Sequence, residues 1–250
     1  MKRILTTLAE KWPEYILEIL VLIIGIYGAF AVEEWGENRN KRTKEQQILK
    51  QLHVDYESNL KQLDQKIAMR KLIIASSSAI LKSIDQPDSA NRDSLITCLA
   101  HLLDDPTFDP INSNLISSEN LQYISNPKLN KLLSSWSSDI AALQEIEFFW
   151  TNKTHNEYAE WLISSGLARD ALGQYFSESD YTWLLNKEGG KKISIGNSKN
   201  SSSIRELMKS RELEGLAAYA IGINHGANEQ SIALRVRIKE ILNLLSVEIE

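Results

Sequence analysis

The sequence predicts an all-α protein: an N-terminal transmembrane helix that continues into a long stalk helix and an antiparallel helical bundle. Three observations carry this expectation. Residues 15–32 form an apolar stretch with a single charge, Glu18. As a helix that stretch spans about 27 Å, close to the hydrocarbon thickness of a bilayer. From residue 33 to 85 there is no proline and one glycine, Gly36. Beyond it, apolar residues recur at helical spacing, with no strand–helix alternation and no tandem repeat. Composition agrees. The 250 residues include only 11 Gly and 5 Pro, which argues against collagen-like, linker-like and hairpin-rich folds. A net charge of -5 argues against nucleic acid as a partner held by bulk charge. One cysteine, Cys98, excludes an intrachain disulfide framework and a Cys-rich zinc site.

The expected organisation is a tail and transmembrane helix over 1–35, a stalk over 36–85, and a helical bundle over 86–250 that packs with 45–85. Trp12, Tyr15 and Trp35 stand where interfacial aromatics anchor a span, and Pro13 suits a first helical turn. Two other readings of the apolar stretch compete. Ala29-Phe30-Ala31 matches a signal-peptide cleavage rule, but the stretch is long for a leader, and Glu10, Glu14 and Glu18 spoil its positive end. A buried helix of a soluble domain would need a large core around it. The basic residues Arg39, Lys41, Arg42, Lys44 and Lys50 follow the span, against Lys2, Arg3 and Lys11 before it. A bare count would place the C-terminal side in the cytoplasm. The short tail, single span and large domain instead match a signal-anchor layout, with the C-terminal domain periplasmic and the span in the inner (cytoplasmic) membrane.

Within the span, Glu18, Leu22, Gly25 and Ala29 share one helical face. Gly25-x-x-x-Ala29 is a small-xxx-small pattern that admits close helix approach, so a second copy or another membrane protein is a partner the face can take, besides the lipid bilayer. Glu18 either reaches the headgroups or works inside the membrane as an ion site or polar helix contact.

After the span, Leu49, Leu52, Tyr56, Leu60, Leu63 and Ile67 repeat at a mean of 3.6, the signature of a straight amphipathic helix. Gln86-Pro87-Asp88 breaks it. Asn91 or Asp93 can cap the next helix, which carries Leu95, Ile96, Leu99, Leu102 and Leu103 and ends at Asp104-Asp105-Pro106. A loop is expected over 107–114 and a short helix near 117–124. Asn126-Pro127 opens a long helix over 127–165, with Leu129, Leu132, Leu133, Trp136, Ile140, Leu143, Ile146, Phe149 and Trp150 on its apolar face. Short helical pieces are expected around 167–175 and 179–185, and an exposed, mobile loop over 189–203. A last helical region runs from 203 to the end. Gly222 and Gly226 suggest a bend or close contact there, and Ile232, Leu234, Val236, Ile238, Ile241, Leu242 and Leu245 its buried face.

Two blocks look alike to a known pattern. The first is residues 18–26 followed by Glu33-Glu34-Trp35-Gly36-Glu37-Asn38-Arg39. The second is residues 111–118 through 121–129, with Ile124-Ser125-Asn126-Pro127. Together they resemble an uncharacterised family of single-span membrane proteins, abundant in Bacteroidota, assigned only a domain of unknown function. Tyr27, Gly28 and Glu33-Glu34 depart from it. The resemblance implies an anchored helical domain and carries no catalytic residues.

No motif supplies chemistry. His53, His101, His155 and His225 lack zinc-site spacing. Cys98 and His101 lie three apart, which suits a small buried thiol near a surface imidazole better than a nucleophile and base. Asp104, Asp105 and Asp109 fit turn and cap duty, and Gly189-Gly190-Lys191-Lys192 lacks phosphate-loop spacing. Trp136, Trp150, Trp161 and Trp183 read as core packing. The sequence therefore points away from an enzyme, with no catalytic, metal or cofactor residues assigned. It points to an envelope interaction or scaffold module. The alternatives are an accessory subunit of an ion-coupled complex using Glu18, or a ligand-sensing helical domain.

Overall fold

The computed structural model describes residues 2–111, 114–178 and 194–250, and the backbone alone for residues 2–11, 13–15 and 114. It is all-α, with no strand among the described residues. Helix α1 runs unbroken over Lys2–Asp85. At about 1.5 Å per residue it is roughly 125 Å long, so apolar segment, stalk and bundle wall are one rod. A 3₁₀ turn at Pro87–Ser89 ends it, and α2 follows over Arg92–His101, its first turn capped by Asn91 accepting from the Ser94 N–H. Helix α3 is short, Ser118–Leu121, capped by Ser117. Helix α4 covers Pro127–Lys153, where the Asn126 side chain accepts from Lys128 and Leu129 and Pro127 takes the first-turn place that needs no N–H.

Helix α4 passes through a π turn, Thr154–Tyr158, into α5, Ala159–Ser164. Gly166 ends α5 with φ of 72°. Its N–H donates to Ile163 O and the Leu167 N–H to Leu162 O, the paired closure of a Schellman motif. A Cβ there would lie 2.3 Å from Asn200 O, so only glycine fits. Helix α6 is Ala168–Glu178, α7 is Ile204–Leu207 with a Ser203/Glu206 capping box, and α8 runs Arg211–Glu248.

The bundle is three long helices. Near the stalk, Glu45 accepts from Ser125, Asn126 donates to Glu248, and Gln46 clasps the backbone of Glu248 and Glu250. The α4 start and the α8 end therefore meet α1 just past the apolar segment. Helices α1 and α4 run away from that segment, and α8 returns. Ion pairs Asp64–Arg235 and Asp139–Arg237 tie α8 to both partners.

The core divides in two. The part nearer the stalk holds Leu49, Leu52, Tyr56, Leu63, Trp136 and Ile238, with the Tyr56 and Trp136 rings 4.8 Å apart. The part further out holds Ile73, Ile80, Leu99, Trp150, Trp161 and Leu213, closed by α2, α5 and α6. The repeat expected from Leu49 to Ile67 is thus the buried face of α1.

Several expectations shift. Phe149 is 55% exposed, because Trp150 takes the core position beside it. Ile232 and Val236 face outward, since α8 buries Asn228, Ser231, Leu234, Ile238, Ile241 and Leu245 at steps of three and four. The last helical region is two helices, divided at Met208–Ser210. A Cβ at Gly222 or Gly226 would meet nothing within 4 Å, so neither makes a close contact within the chain. Residues 194–203 are partly covered and strapped: Ser198 N–H donates to Asp170, Ser202 N–H to Ser165 O, and Arg92 to Ser201. Trp183, Gly189, Gly190, Lys191, Lys192 and the expected helix over 179–185 lie outside the described residues.

Candidate functional site

The membrane-type segment comes first. Every described side chain from 16 to 34 is exposed, with none of the apolar ones packed on the bundle. Among the described residues, one helix is long and apolar enough to cross a membrane, and its most apolar stretch is 0% buried. A helix in the core of this bundle would be covered, and this segment is not. Glu18, Leu22, Gly25 and Ala29 all lie on exposed helix, and nothing approaches a Cβ built at Gly25 within 4 Å. Trp12 and Trp35 bracket the segment, 58% and 64% exposed. The Tyr15 side chain lies outside the described residues.

The basic run after the apolar segment is largely taken up within the chain. Arg39 sits over the Trp35 ring, Lys41 pairs with Glu37, and Lys44 lies over Tyr123. Arg42 bridges Glu45 and Glu250, whose hydrogen bonds hold its guanidinium above the ordinary range.

Between the two core halves lies a polar layer. Arg70 of α1 is fully buried. It donates to Ser231 Oγ of α8 at 2.7 Å, to Pro106 O at 2.8 Å, and to Glu147 of α4. The second Glu147 oxygen accepts from the Phe108 N–H at 3.0 Å. Burial pushes the Glu147 carboxyl up against the pull of Arg70, and burial also lowers Arg70. Further along the same helix faces, Ser77 Oγ, Thr154 Oγ1 and Asn228 Oδ1 have no hydrogen-bond partner.

The loop over 104–111 is laced to α1 by side chains three and four residues apart. Asn59 bonds both backbone groups of Ile111, Gln62 both of Asp109, and Lys66 donates to Asp105 O. Asp105 also accepts from the Thr107 N–H, the turn duty expected of it. Burial raises Asp104 to about 6, with His101 and Lys66 opposing and Glu178 adding.

His101 has partners the chain pattern did not indicate. Its Nδ1 meets Ser76 Oγ at 2.7 Å and its Nε2 meets Glu178 Oε2 at 3.2 Å. Cys98 is half-buried, and burial raises its thiol, with Ser76 opposing. A raised thiol is a poor nucleophile at neutral pH. Ser76 is buried on a continuous helix, without a backbone N–H pair to receive an oxyanion. The trio joins α1, α2 and α6 rather than forming an acyl-transfer site. Among the described residues, no three His, Cys, Asp or Glu side chains gather as metal ligands.

Sequence reasoning missed Arg70, Glu147 and Ser231. A signal existed: each occupies a core position of its helix, where apolar residues flank it at three or four residues. The π turn and the groove beside it left no comparable trace.

The fold and the exposed segment define an all-α protein whose N-terminal helix is a candidate single membrane span. No family model, curated protein or solved structure matches the chain.

Proposed function

We propose that this protein is a membrane-anchored interaction scaffold of the cell envelope, held by one span in the inner membrane with its bundle on the periplasmic side. The observation that carries the reading is the continuity of α1. Its uncovered apolar end passes without a break into the wall of the bundle core. Twelve large apolar side chains between Ile16 and Val32 stand exposed. At about 1.5–3 kcal/mol each, their cover is worth roughly 20 kcal/mol or more, which a bilayer supplies. From Val32 to the first buried residue, Glu45, the stalk lifts the bundle about 20 Å. The basic run after the span is engaged with carboxylates and rings, which supports a solvated stalk rather than a lipid-binding patch.

Protease accessibility in spheroplasts, with a tag on each terminus, tests both anchor and orientation. Digestion of the bundle with the N-terminal tag protected is the expected result. Loss of the N-terminal tag from the mature protein would mean cleavage near Ala29 and end the anchor reading. Crosslinking in gentle detergent extracts tests the scaffold role, and a chain that yields neither partner nor oligomer refutes it. Glu18 has no partner within the described residues. Glu18→Gln separates the ion-coupled alternative: full function in that variant removes it.

A further inference from the structure

A groove of about 700 Å³ lies between the π turn with α5 on one side and the first turns of α8 on the other. That volume falls in the range of small-molecule sites, and π turns recur at functional positions. One wall carries Glu157 and Glu160. The other carries Glu212, with Gly215 and Tyr219 one and two turns along the same face of α8. Trp161 closes the inner side, 6% exposed, its indole N–H donating to Ser210 Oγ. Gly215 leaves the wall open, because a Cβ there would meet nothing within 4 Å.

The charge of the groove is one-sided: three carboxylates face one ammonium, Lys153. The Lys153 Nζ lies 4.6 Å from the Tyr219 ring centroid and 2.6 Å from Glu157. The chain's own lysine thus shows the chemistry the groove accepts, a cation held between an aromatic face and a carboxylate. Neither Glu160 nor Glu212 has an ion-pair or hydrogen-bond partner among the described residues. Trp161 and Leu216 pack in the outer core with Ile73 and Ile80, which places the groove about 60–70 Å from the end of the span along α1 and away from lipid headgroups.

We infer that this groove binds a small organic cation, an amine with an apolar body. The ammonium lies between Glu160 and Glu212, and the body lies against Tyr219 and Trp161. Occupancy of the groove goes beyond the scaffold reading and does not depend on it.

The test is a ligand-observed NMR titration of the full chain in maltoside micelles at low salt, with benzylamine as probe and benzyl alcohol as its neutral match. Saturable benzylamine binding is expected, with benzyl alcohol at least tenfold weaker. Gly215→Leu fills the groove from an exposed helical position, so the variant keeps its helicity and melting temperature but loses binding at least tenfold. Glu212→Gln weakens binding about threefold or more, whereas Lys153→Gln, which frees Tyr219 and Glu157, tightens it by a similar factor. A merely structural role for these residues would not give opposite signs. No saturation, equal binding of the alcohol, or unchanged binding in Gly215→Leu overturns the proposal. So does a shift of the same sign in Glu212→Gln and Lys153→Gln.

Discussion

Removing the Glu147 carboxylate strands a guanidinium in the middle of the bundle. In Glu147→Ala, Arg70 keeps Ser231 Oγ and Pro106 O but loses its carboxylate partner, and the Phe108 N–H loses its acceptor. Arg70 is fully buried and Glu147 is 3% exposed, so water does not replace the lost partner. Breaking a buried pair from one side costs about 3–5 kcal/mol. A bundle of ordinary stability, about 5–15 kcal/mol, would keep only part of its margin. Arg70→Met should cost a similar amount, because it leaves the carboxylate unpaired. The double variant Arg70→Met/Glu147→Leu removes both charges and fills the layer with apolar volume. It should cost less than either single change, a coupling of several kcal/mol. Urea unfolding of the full chain in maltoside micelles reads this, through the fluorescence of Trp136 and Trp150 in the two core halves. A Glu147→Ala loss below about 1 kcal/mol, or a double variant that loses the sum of the singles, would refute the reasoning.

Asp104 gives a pH signature. Its carboxyl rises from 3.8 to about 6 in the fold, so the associated stability is present below the lower value and lost as pH rises through the upper one. Asp104→Asn should therefore stabilise the bundle by about 1–2 kcal/mol at pH 7.5, discounted for partial exposure, and by nothing at pH 4. Equal effects at both pH values in urea titrations would contradict the assignment. Asn126→Ala removes the α4 cap and the bond to Glu248 together and should cost about 1–2 kcal/mol. Asn126→Asp keeps the cap but sets a carboxylate against Glu248, and its urea midpoint should fall between wild type and Asn126→Ala. Gly222→Ala, in open space on α8, should stabilise by about 0.5–1 kcal/mol. A drop in thermal midpoint instead would mean that something packs on that face.

What was legible in the chain was local. The face from Leu49 to Ile67 and the caps at Asn91 and Asn126 depend on residues within a turn or two of each other, and all are where spacing and side-chain type put them. Phe149, Ile232 and Val236 misled because periodicity marks a broad apolar stripe, while a three-helix bundle buries a narrower one. The Ser76–His101–Glu178 trio lay hidden for another reason. Its members are hydrogen-bond partners only after α2 and α6 fold back on α1.

By itself the sequence determined the helical class, the apolar segment and the starts of α2 and α4, because each follows from hydrophobic spacing and from backbone groups that a neighbouring side chain satisfies. Only the tertiary structure decided the polar layer and the groove. Arg70 finds Glu147 and Ser231 across 77 and 161 residues of chain, and Glu157 and Glu212 line one groove only because the π turn and α8 come side by side in the fold. Whether a buried charge is paired, or a helix face left open, depends on what packs against it, and that is a property of three dimensions.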